Sequence, residues 1–233
     1  LLNYLGLKKP MLSYYRHNTG AGGEAVLSRL LAGESCALVT DAGTPAVSDP
    51  GEELVALCAQ RGVDVVAIPG PCALVTALAV SGLPTGRFTF EGFLSMNKRS
   101  RREHLLSVSQ ETRTMVFYEA PHKLRRTLND FESVFGGERR LAVVRELTKI
   151  HEEVWRTTLR EAAAHYRQHE PKGEFVLVVE GAKPKETREE YTLEEAAELA
   201  RDFLQDGVSA SEAAREAAKV SGLKKGDIYR LLG

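Results

Sequence analysis

Two loops of small residues are the part of this sequence best suited to binding chemistry. The first reads V-T-D-A-G-T-P-A-V-S-D-P-G from Val39 to Gly51, and the second reads I-P-G-P-C-A-L-V-T-A-L-A-V-S-G-L-P from Ile68 to Pro84. Small residues leave backbone N–H and C=O groups uncovered, which suits a flat, neutral to polar ligand such as an adenosine. Either loop alone is equally well explained as an ordinary turn between a strand and a helix. Two in succession favour a ligand crevice at the carboxyl ends of strands.

Alternating strand and helix patterns surround these loops. Short apolar runs predict buried parallel strands at Met11 to Tyr15, Cys36 to Val39 and Val63 to Ile68. Helical patterns follow them at Gly23 to Leu31, Glu52 to Gln60 and Ala73 to Val80. This alternation is typical of βαβ units with a mainly parallel sheet. We therefore predict a first α/β domain over residues 1–84.

A second α/β domain with a mixed sheet is predicted over residues 85–182. Its expected extended segments are Phe88 to Leu94, Thr114 to Tyr118, Leu141 to Arg145, a half-exposed antiparallel Glu153 to Leu159, and Phe175 to Val179. Its expected helices are Lys98 to Ser109, Pro121 to Val134 and Arg160 to Gln168. The two α/β domains are predicted to enclose a cleft.

The last part of the chain, residues 190–233, has helical patterns only. A polar linker over Ala182 to Glu190 precedes a capping box made by Thr192 and Glu195. Two further helices are predicted around Ser211 to Val220 and Asp227 to Leu232. The pattern resembles a helix-turn-helix, and a small helical hairpin explains it equally well.

Composition excludes several classes of function. The 233 residues carry 31 Lys and Arg against 32 Asp and Glu, so any nucleic-acid site must be a local basic patch. Cys36, Cys58 and Cys72 form no C-x-x-C pair and are expected to be small reduced residues; we predict no metal site. No apolar run approaches the roughly 20 residues of a membrane span. The expected compartment is the cytoplasm, with no membrane partner.

Two nucleotide-binding patterns bear on the function. The Walker pattern is absent, which argues against a P-loop NTPase. Gly20 to Ala25 matches G-x-G-x-x-A, with Asp41 some way downstream, which is the outline of a dinucleotide-binding fingerprint. The polar segment Arg16 to Thr19 separates the expected strand from the first glycine, so no tight turn follows the strand. A dinucleotide-dependent oxidoreductase remains an alternative function.

Five ordered motifs carry a resemblance to a known family. The chain resembles the tetrapyrrole methylase superfamily, the class III S-adenosylmethionine methyltransferases. Within it, the chain is most similar to the bacterial ribosomal small-subunit methyltransferase I family, which 2′-O-methylates a cytidine in the decoding centre of 16S rRNA. The motifs are the two loops above together with F-Y-E-A-P-H-K-L (Phe117 to Leu124), R-E-L-T-K (Arg145 to Lys149) and G-E-F-V-L-V-V-E-G (Gly173 to Gly181).

One departure concerns the start of the family pattern. Members begin with a strand, a loop of G-T-P-I-G-N type and an acidic E-D-T-R segment, and Leu1 to Asn3 matches the point just after these. Either the sequence is a truncated or partly ordered chain or the protein lacks part of the site, and we expect the first. Loss of a central strand would leave a parallel sheet with unpaired backbone groups.

The resemblance implies a cofactor site for S-adenosylmethionine in the cleft between the two α/β domains. It places the first cofactor loop at Gly43 to Pro45 and implies contacts from Thr44, Val47, Cys72, Ala73, Tyr118, Val144 and Phe175. For the apolar members of this set, plain core packing explains the residue type nearly as well.

The resemblance also implies that the methyl acceptor is a 2′-hydroxyl, which must lose a proton. Glu119 and Glu146 follow predicted strands and are expected to face the cleft as possible bases, with His122 a further possibility. Arg145 and Lys149 are expected to hold a phosphate or to ease loss of the proton. The alternative for each carboxylate is a structural salt bridge with a neighbouring Arg or Lys.

An RNA substrate requires phosphate contacts, which the basic run near residue 100 is able to supply. Lys98, Arg99, Arg101 and Arg102 are the predicted RNA-binding residues, although charge runs are usually solvated faces. The implied partners are 16S rRNA or the small ribosomal subunit, and a second copy of the chain in a homodimer. Alternative functions are C-methylation of a small tetrapyrrole and RNA binding without catalysis.

Overall fold

The computed structural model describes residues 2–15, 18–183, 191–205 and 207–232. The chain divides into two compact units, Leu1–Ala182 and Lys183–Gly233. Residues 184–190, most of the predicted linker, lie outside the described part, as do Arg16 and His17 of the polar segment before the glycine pattern. The predicted boundary at residue 84, inside the first unit, stays a prediction.

A mixed sheet forms the centre of the first unit. Within the described residues it has five strands in the order β1-β2-β5-β3-β4. The strands are β1 (Phe88–Phe93), β2 (Thr114–Glu119), β3 (Arg140–Arg145), β4 (Glu153–Thr158) and β5 (Phe175–Val179). β1 pairs with β2 in parallel, and the other three pairings are antiparallel. The predicted mixed sheet of the second α/β domain is therefore confirmed.

Six helices accompany this sheet in the described part of the first unit: α1 (Thr19–Leu31), α2 (Glu52–Gln60), α3 (Ala73–Val80), α4 (Lys98–Ser107), α5 (Pro121–Phe135) and α6 (Leu159–Gln168). Each matches a predicted helix, with ends that differ by a few residues at most. Proline at the start of α5 and a capping box from Thr158 to Glu161 at α6 explain why those two helices begin where they do.

The two faces of the sheet pack against different helices, because successive side chains of a strand point to opposite sides. One face, called here the α5 face, buries Phe117 and Leu177 against Leu128 and Phe131 of α5 and against α6. The other face, called here the α3 face, buries residues such as Val116 and Val176 against α3, with Leu74, Ala77 and Leu78 at the contact. Each fully buried large side chain contributes roughly 1.5–3 kcal/mol to folding.

The half-exposed strand β4 also anchors α3. Arg156 donates a hydrogen bond to the carbonyl oxygen of Val80, the last residue of α3, with an N–O distance of 2.5 Å. A cation at the carboxyl end of a helix satisfies an open carbonyl and interacts favourably with the helix dipole. This contact helps to hold α3 on the sheet.

The three strands predicted before residue 84 are not formed in the structure. Met11 to Tyr15, Cys36 to Val39 and Val63 to Ile68 have no strand ladder within the described residues. The apolar runs predict buried strands, yet Val66 and Ile68 are each 80% exposed. Strand formation needs a hydrogen-bonded neighbour, and these segments have none among the described residues. Their helices still pack together, with Val26 of α1 against Leu54 and Cys58 of α2.

The described part of the second unit consists of α7 (Leu193–Gln205), α8 (Ala210–Ser221) and α9 (Lys225–Arg230). Alanines on α7 and α8 and Ile228 of α9 form its core, since small side chains let the helices approach closely. The predicted capping box is confirmed: Thr192 N donates to Glu195 Oε2 at 2.9 Å, and Glu195 N donates to Thr192 Oγ1 at 3.2 Å. Gly222, in the left-handed conformation, ends α8 before the turn into α9.

Candidate active site

The two loops of small residues lie against each other. The backbone N–H of Thr44 donates to the carbonyl oxygen of Pro71 at 3.0 Å, and the Thr44 hydroxyl donates to the same oxygen at 3.2 Å. Gly43 has a positive φ of 81°, and a Cβ there would lie 3.3 Å from the Pro71 oxygen. The two loops therefore contact each other, and the contact depends on Gly43 and Thr44.

The first loop holds an unusual backbone. Ala46 and Ser48 have φ values of 67° and 65°, and Gly43 and Gly51 also have positive φ. A non-glycine residue in this region costs on the order of 1–3 kcal/mol and persists only where the surroundings enforce it. A Cβ at Gly51 would lie 2.6 Å from Leu38 Cδ2, so packing also requires glycine there. Such strain is typical of ligand-binding loops.

Tyr118 joins the sheet to the second loop. Its hydroxyl oxygen accepts a hydrogen bond from the backbone N–H of Leu74, in the first turn of α3, at 2.9 Å. Burial raises the pKa of the Tyr118 phenol, and the nearby Cys72 and Asp49 raise it further, so the hydroxyl stays neutral. Cys72 and Ala73 lie at the start of α3 beside this contact. The structure therefore brings Thr44, Cys72, Ala73 and Tyr118 to one place.

Val144 and Val47 complete the predicted cofactor residues on this side. Val144 is buried on the α3 face in contact with the same apolar cluster as Tyr118. Val47 lies in the strained loop and is 40% exposed. Val144 is part of the core, whereas Val47 remains available to a ligand.

Three predicted site residues lie on the opposite face of the sheet. Glu119, Arg145 and Phe175 alternate with the α3-face residues of their strands, so they belong to the α5 face. Phe175 packs edge to face against Tyr166 of α6, with ring centroids 5.8 Å apart. Strand alternation therefore places Glu119 and Phe175 away from the α3 face. The assignment of Phe175 to the adenosine and of Glu119 to the acceptor stays a prediction.

Glu119 and Arg101 share one buried network. Glu119, 3% exposed, accepts a hydrogen bond from Thr127 Oγ1 and one from the backbone N–H of Ala120. Thr127 Oγ1 in turn accepts a bond from Arg101 at 2.7 Å, and Arg101 Nε donates to Asp130 at 2.6 Å. Arg101, also 3% exposed, is therefore not a surface residue of the basic run, because its charge is paired inside the protein.

The other basic residues of that run are exposed. Lys98, Arg99 and Arg102 lie on the solvent side of α4. Arg99 pairs with Glu103 one turn along the helix, with a 2.7 Å N–O distance, in the arrangement typical of a solvated helix face. Asn97 caps the helix by accepting hydrogen bonds from the backbone N–H groups of Arg99 and Ser100.

Glu146 braces the turn after β3. It has a positive φ of 50°, and its Oε1 accepts hydrogen bonds from Lys149 Nζ and from Glu174 N, each at 2.8 Å. The Lys149 bond and the Glu174 N–H both lower the pKa of Glu146, so this carboxylate is ionised at neutral pH. A Cβ at Gly173 would lie 2.5 Å from Glu146 Cγ, so glycine is needed to admit the glutamate. The predicted salt bridge with Lys149 is thus present.

Arg145 lies in an ion pair, whereas His122 is exposed to solvent. Arg145 pairs with Glu153 of β4 at 3.2 Å and reaches the carbonyl of Lys172 at 3.4 Å. His122 is exposed in the first turn of α5. The contacts of Arg145 are those of a structural ion pair, and the roles of Arg145 and His122 in the chemistry stay predictions.

Sequence reasoning missed three residues near Tyr118. Phe90 and Phe93 of β1 contact its ring edge to face, with centroid distances of 4.9 and 5.6 Å. Asp49 follows the strained positions of the first loop, and burial, followed by the charge of Asp41, raises its pKa. Gly92, which lies between Phe90 and Phe93, indicates a bulge, because a glycine inside a strand pattern often marks one.

Other kinds of site find no support in the described residues. No group of three or more His, Cys, Asp or Glu side chains among them is placed to hold a metal ion. Gly20, Gly22 and Gly23 of the dinucleotide-like pattern lie inside α1 rather than in a turn before a helix. No described helix combines the length and apolar character needed to cross a membrane.

Comparison with known proteins assigns the family. The sequence profile of the tetrapyrrole (corrin/porphyrin) methylases matches residues 9–163. The chain is 46% identical over 231 residues to the ribosomal RNA small subunit methyltransferase I of Synechocystis sp., covering 99% of this chain and 82% of that protein. It is 39% identical over 232 residues to the protein of the same name from Escherichia coli O157:H7, covering 99% and 80%.

Solved structures agree with the predicted fold class. The methyltransferase CobJ has a TM-score of 0.54 at 20% identity, over 69% of this chain and 70% of that one. Uroporphyrin-III C-methyltransferase from Thermus thermophilus, complexed with S-adenyl homocysteine, has a TM-score of 0.50 at 18% identity, over 75% and 80%. These likenesses confirm the tetrapyrrole methylase-like α/β fold. Together with the identities above, they show that the chain belongs to the tetrapyrrole methylase family and, within it, to the ribosomal RNA small subunit methyltransferase I family.

Proposed function

We propose that this protein transfers a methyl group from S-adenosylmethionine to small-subunit ribosomal RNA, at the 2′-hydroxyl of a decoding-centre cytidine of 16S rRNA. The observation that carries the proposal is the contact between the two loops of the predicted crevice, in which Thr44 is bonded to Pro71 and Leu74 to Tyr118. It lies in a chain that is 46% identical, over nearly its whole length, to a protein named for that substrate.

The residues at this crevice fit an adenosine-bearing cofactor. Gly43 and Gly70 leave the backbone uncovered, and the site of a Cβ on Gly70 has nothing closer than Thr44 Oγ1 at 3.8 Å. Val47, Cys72 and Ala73 add small, uncharged surface beside them. Backbone groups of the two loops would hold the cofactor, which supplies an electrophilic methyl group when bound. The protein must then bring the acceptor oxygen into line with that methyl group.

The acceptor hydroxyl must also lose its proton. Glu119 is a poor choice as base, because it is buried on the α5 face and already bonded to Thr127. Asp49 and Glu146 are the better choices. Asp49 lies close enough to Tyr118 to raise its pKa, and its own raised pKa makes it the stronger base. Glu146 is ionised, and both of its bonds from Lys149 and Glu174 go to Oε1.

Phosphate contacts would come from the exposed part of α4. Lys98, Arg99 and Arg102 carry charge on the solvent side, whereas Arg101 holds the helix to α5. A chain with net charge −1 has no general attraction for RNA, so a local patch must supply it. We extend the proposal to a homodimer in the cytoplasm, where its ribosomal substrate resides; the elution mass of the purified protein tests the dimer.

The test is transfer of radiolabelled methyl from S-adenosylmethionine to small ribosomal subunits that lack the modification, with free 16S rRNA alongside. Nuclease digestion then locates the label. Label on the ribose 2′-oxygen of one decoding-centre cytidine is the expected result. Cofactor binding without transfer to either RNA would overturn the proposal, and transfer to a porphyrinogen instead would establish the small-molecule alternative.

A further inference from the structure

A β-bulge in β1 redirects one aromatic side chain. Phe90 pairs with Val116 of β2, but Gly92 pairs with Phe117 and Phe93 with Tyr118, so Glu91 is the extra residue. Regular alternation would place Phe90 and Phe93 on opposite faces, because they are three residues apart. The bulge instead places both beside Tyr118 on the α3 face. Bulges of this kind often redirect a side chain next to an active site.

Two contacts keep the bulge in place. Glu91 Oε2 lies 2.8 Å from His104 Nε2 of α4, which holds the extra residue toward the α5 face. Gly92 has a positive φ of 62°, and a Cβ there would lie 3.7 Å from Ser48 Oγ of the strained loop. The bulge is therefore adjacent to the first of the two loops, and Phe93 lies beside Tyr118.

Phe93 and Phe90 differ in exposure although they contact the same ring. Phe90 is partly buried, whereas Phe93 is 51% exposed, with its edge-to-face contact to Tyr118 fixing its position. Met96, three residues on, is 62% exposed. A single exposed apolar side chain needs no explanation. An exposed aromatic ring that a bulge holds beside the predicted ligand-binding loops is a different case, since exposed aromatic rings stack on unpaired bases in proteins that bind RNA.

Positive charge follows Phe93 at a short distance along the chain. Buried Leu94 anchors the connecting segment, and Asn97 caps α4, so residues 94–97 form a short, fixed link. Exposed Lys98, Arg99 and Arg102 lie directly after it. An aromatic platform beside cationic side chains is the arrangement by which proteins hold single-stranded nucleic acid, through base stacking and phosphate contacts.

We propose that Phe93 is the stacking platform for the base of the acceptor nucleotide. The inference rests on the proposed function and adds a residue to it. Placing a ribose 2′-hydroxyl at the crevice requires that its nucleotide leave the stack of the RNA, and the Phe93 ring replaces the lost neighbour. Stacking tolerates any base, so Phe93 positions the nucleotide without selecting cytosine. The phosphates on either side of it bind the exposed cations of α4.

The test compares Phe93→Ala, Phe93→Leu and Phe93→Tyr in methyl transfer to unmodified small subunits, with S-adenosylmethionine affinity measured separately by calorimetry. Loss of one stacking contact corresponds to about a tenfold fall in kcat/KM for the RNA. We expect this fall for Phe93→Ala and Phe93→Leu, little change for Phe93→Tyr, and unchanged cofactor affinity throughout. Phe88→Ala is the matched control, since Phe88 lies at the other end of the same strand and is 38% exposed.

Three results would overturn the inference. Phe93→Leu behaving as the unaltered protein would show that apolar packing is enough. Weaker cofactor binding in Phe93→Ala would place the ring against the cofactor rather than the base. An equal loss in Phe88→Ala would show a general effect on β1. All three require that the unaltered protein be active, whereas absence of transfer by the unaltered protein would refute the proposed function itself.

Discussion

The hydroxyl of Tyr118 accepts a hydrogen bond from the backbone N–H of Leu74 at 2.9 Å. This one contact joins β2, an inner strand of the sheet, to the first turn of α3. The amide at that point is one that no helical carbonyl is able to bond. The position of the second loop relative to the sheet therefore depends on a side chain 44 residues further along the chain.

Tyr118→Phe removes this bond and keeps the ring that contacts Phe90 and Phe93. A hydrogen bond of this kind contributes about 1 kcal/mol, so we expect S-adenosylmethionine affinity to fall about fivefold. Calorimetric titration measures it. Tyr166→Phe is the matched control, because it removes a hydroxyl from the α5 face of the same unit. Equal losses in the two variants would mean that Tyr118 acts on stability alone.

Glu119→Gln distinguishes a buried structural carboxylate from a catalytic base. Removal of a general base typically costs 10²- to 10⁴-fold in rate. Because Glu119 is buried and bonded to Thr127, we expect kcat to stay within about threefold while the free energy of unfolding falls by about 1–3 kcal/mol. Thr127→Val should show the same pattern. A hundredfold fall in kcat without loss of stability would restore Glu119 as the base.

Strand alternation allows the sequence to predict which face of the sheet several candidate site residues take. β2, β3 and β5 were predicted within a residue of their observed ends. Alternate residues of a strand share one face of the sheet. This rule places Tyr118 and Val144 on one face and Glu119, Arg145 and Phe175 on the other. The order of motifs along the chain, by contrast, contains no information about which face a residue takes.

Other features depend on contacts that a local pattern does not contain. Arg101 reads as one of four cations in a basic run, and its burial depends on Thr127 and Asp130, 26 and 29 residues away. The bulge that turns Phe93 toward Tyr118 depends on pairing between β1 and β2. The apolar runs before residue 84 predicted strands because apolarity was taken as burial, whereas a strand also needs a bonded neighbour.

Charge reversal on α4 tests the RNA surface. We expect the double change Lys98→Glu and Arg102→Glu to weaken RNA binding uniformly across sequences and to lower the slope of log affinity against log salt by about two. Cofactor affinity should not change, because these side chains lie on the solvent side of α4. Filter binding at several salt concentrations measures the slope. Lys219→Glu on α8 is a control of equal charge type, and an equal effect there would argue for a nonspecific field.

The ion pair between Glu111 and Arg113 makes the free energy of unfolding depend on pH in the acid range. Hydrogen bonds from Arg113 lower the pKa of this carboxyl from 4.5 to about 2. Because the pKa of Glu111 is lower in the folded protein than in the unfolded chain, its ionised carboxylate stabilises the fold at pH values above the unfolded pKa. This stabilisation is lost as pH falls from about 4.5 to about 2. Glu111→Gln should therefore unfold more easily than the unaltered protein at pH 6, by on the order of 1 kcal/mol after screening. Urea titrations at several pH values should show the difference vanish near pH 2.

The pH dependence of kcat identifies which carboxylate takes the proton. A base must be ionised to act, so the rate falls as pH drops through its pKa. Burial and Asp41 raise the pKa of Asp49, whereas Lys149 and the Glu174 N–H lower that of Glu146.

If Asp49 is the base, the acid limb of the kcat profile lies above the ordinary aspartate pKa of about 3.9. In Asp49→Asn this limb disappears, and the rate falls at least about 10²-fold. If Glu146 is the base, the limb lies below the ordinary glutamate value of about 4.3, and Glu146→Gln carries the loss. Full rates in both variants would show that solvent takes the proton and that orientation alone drives the transfer.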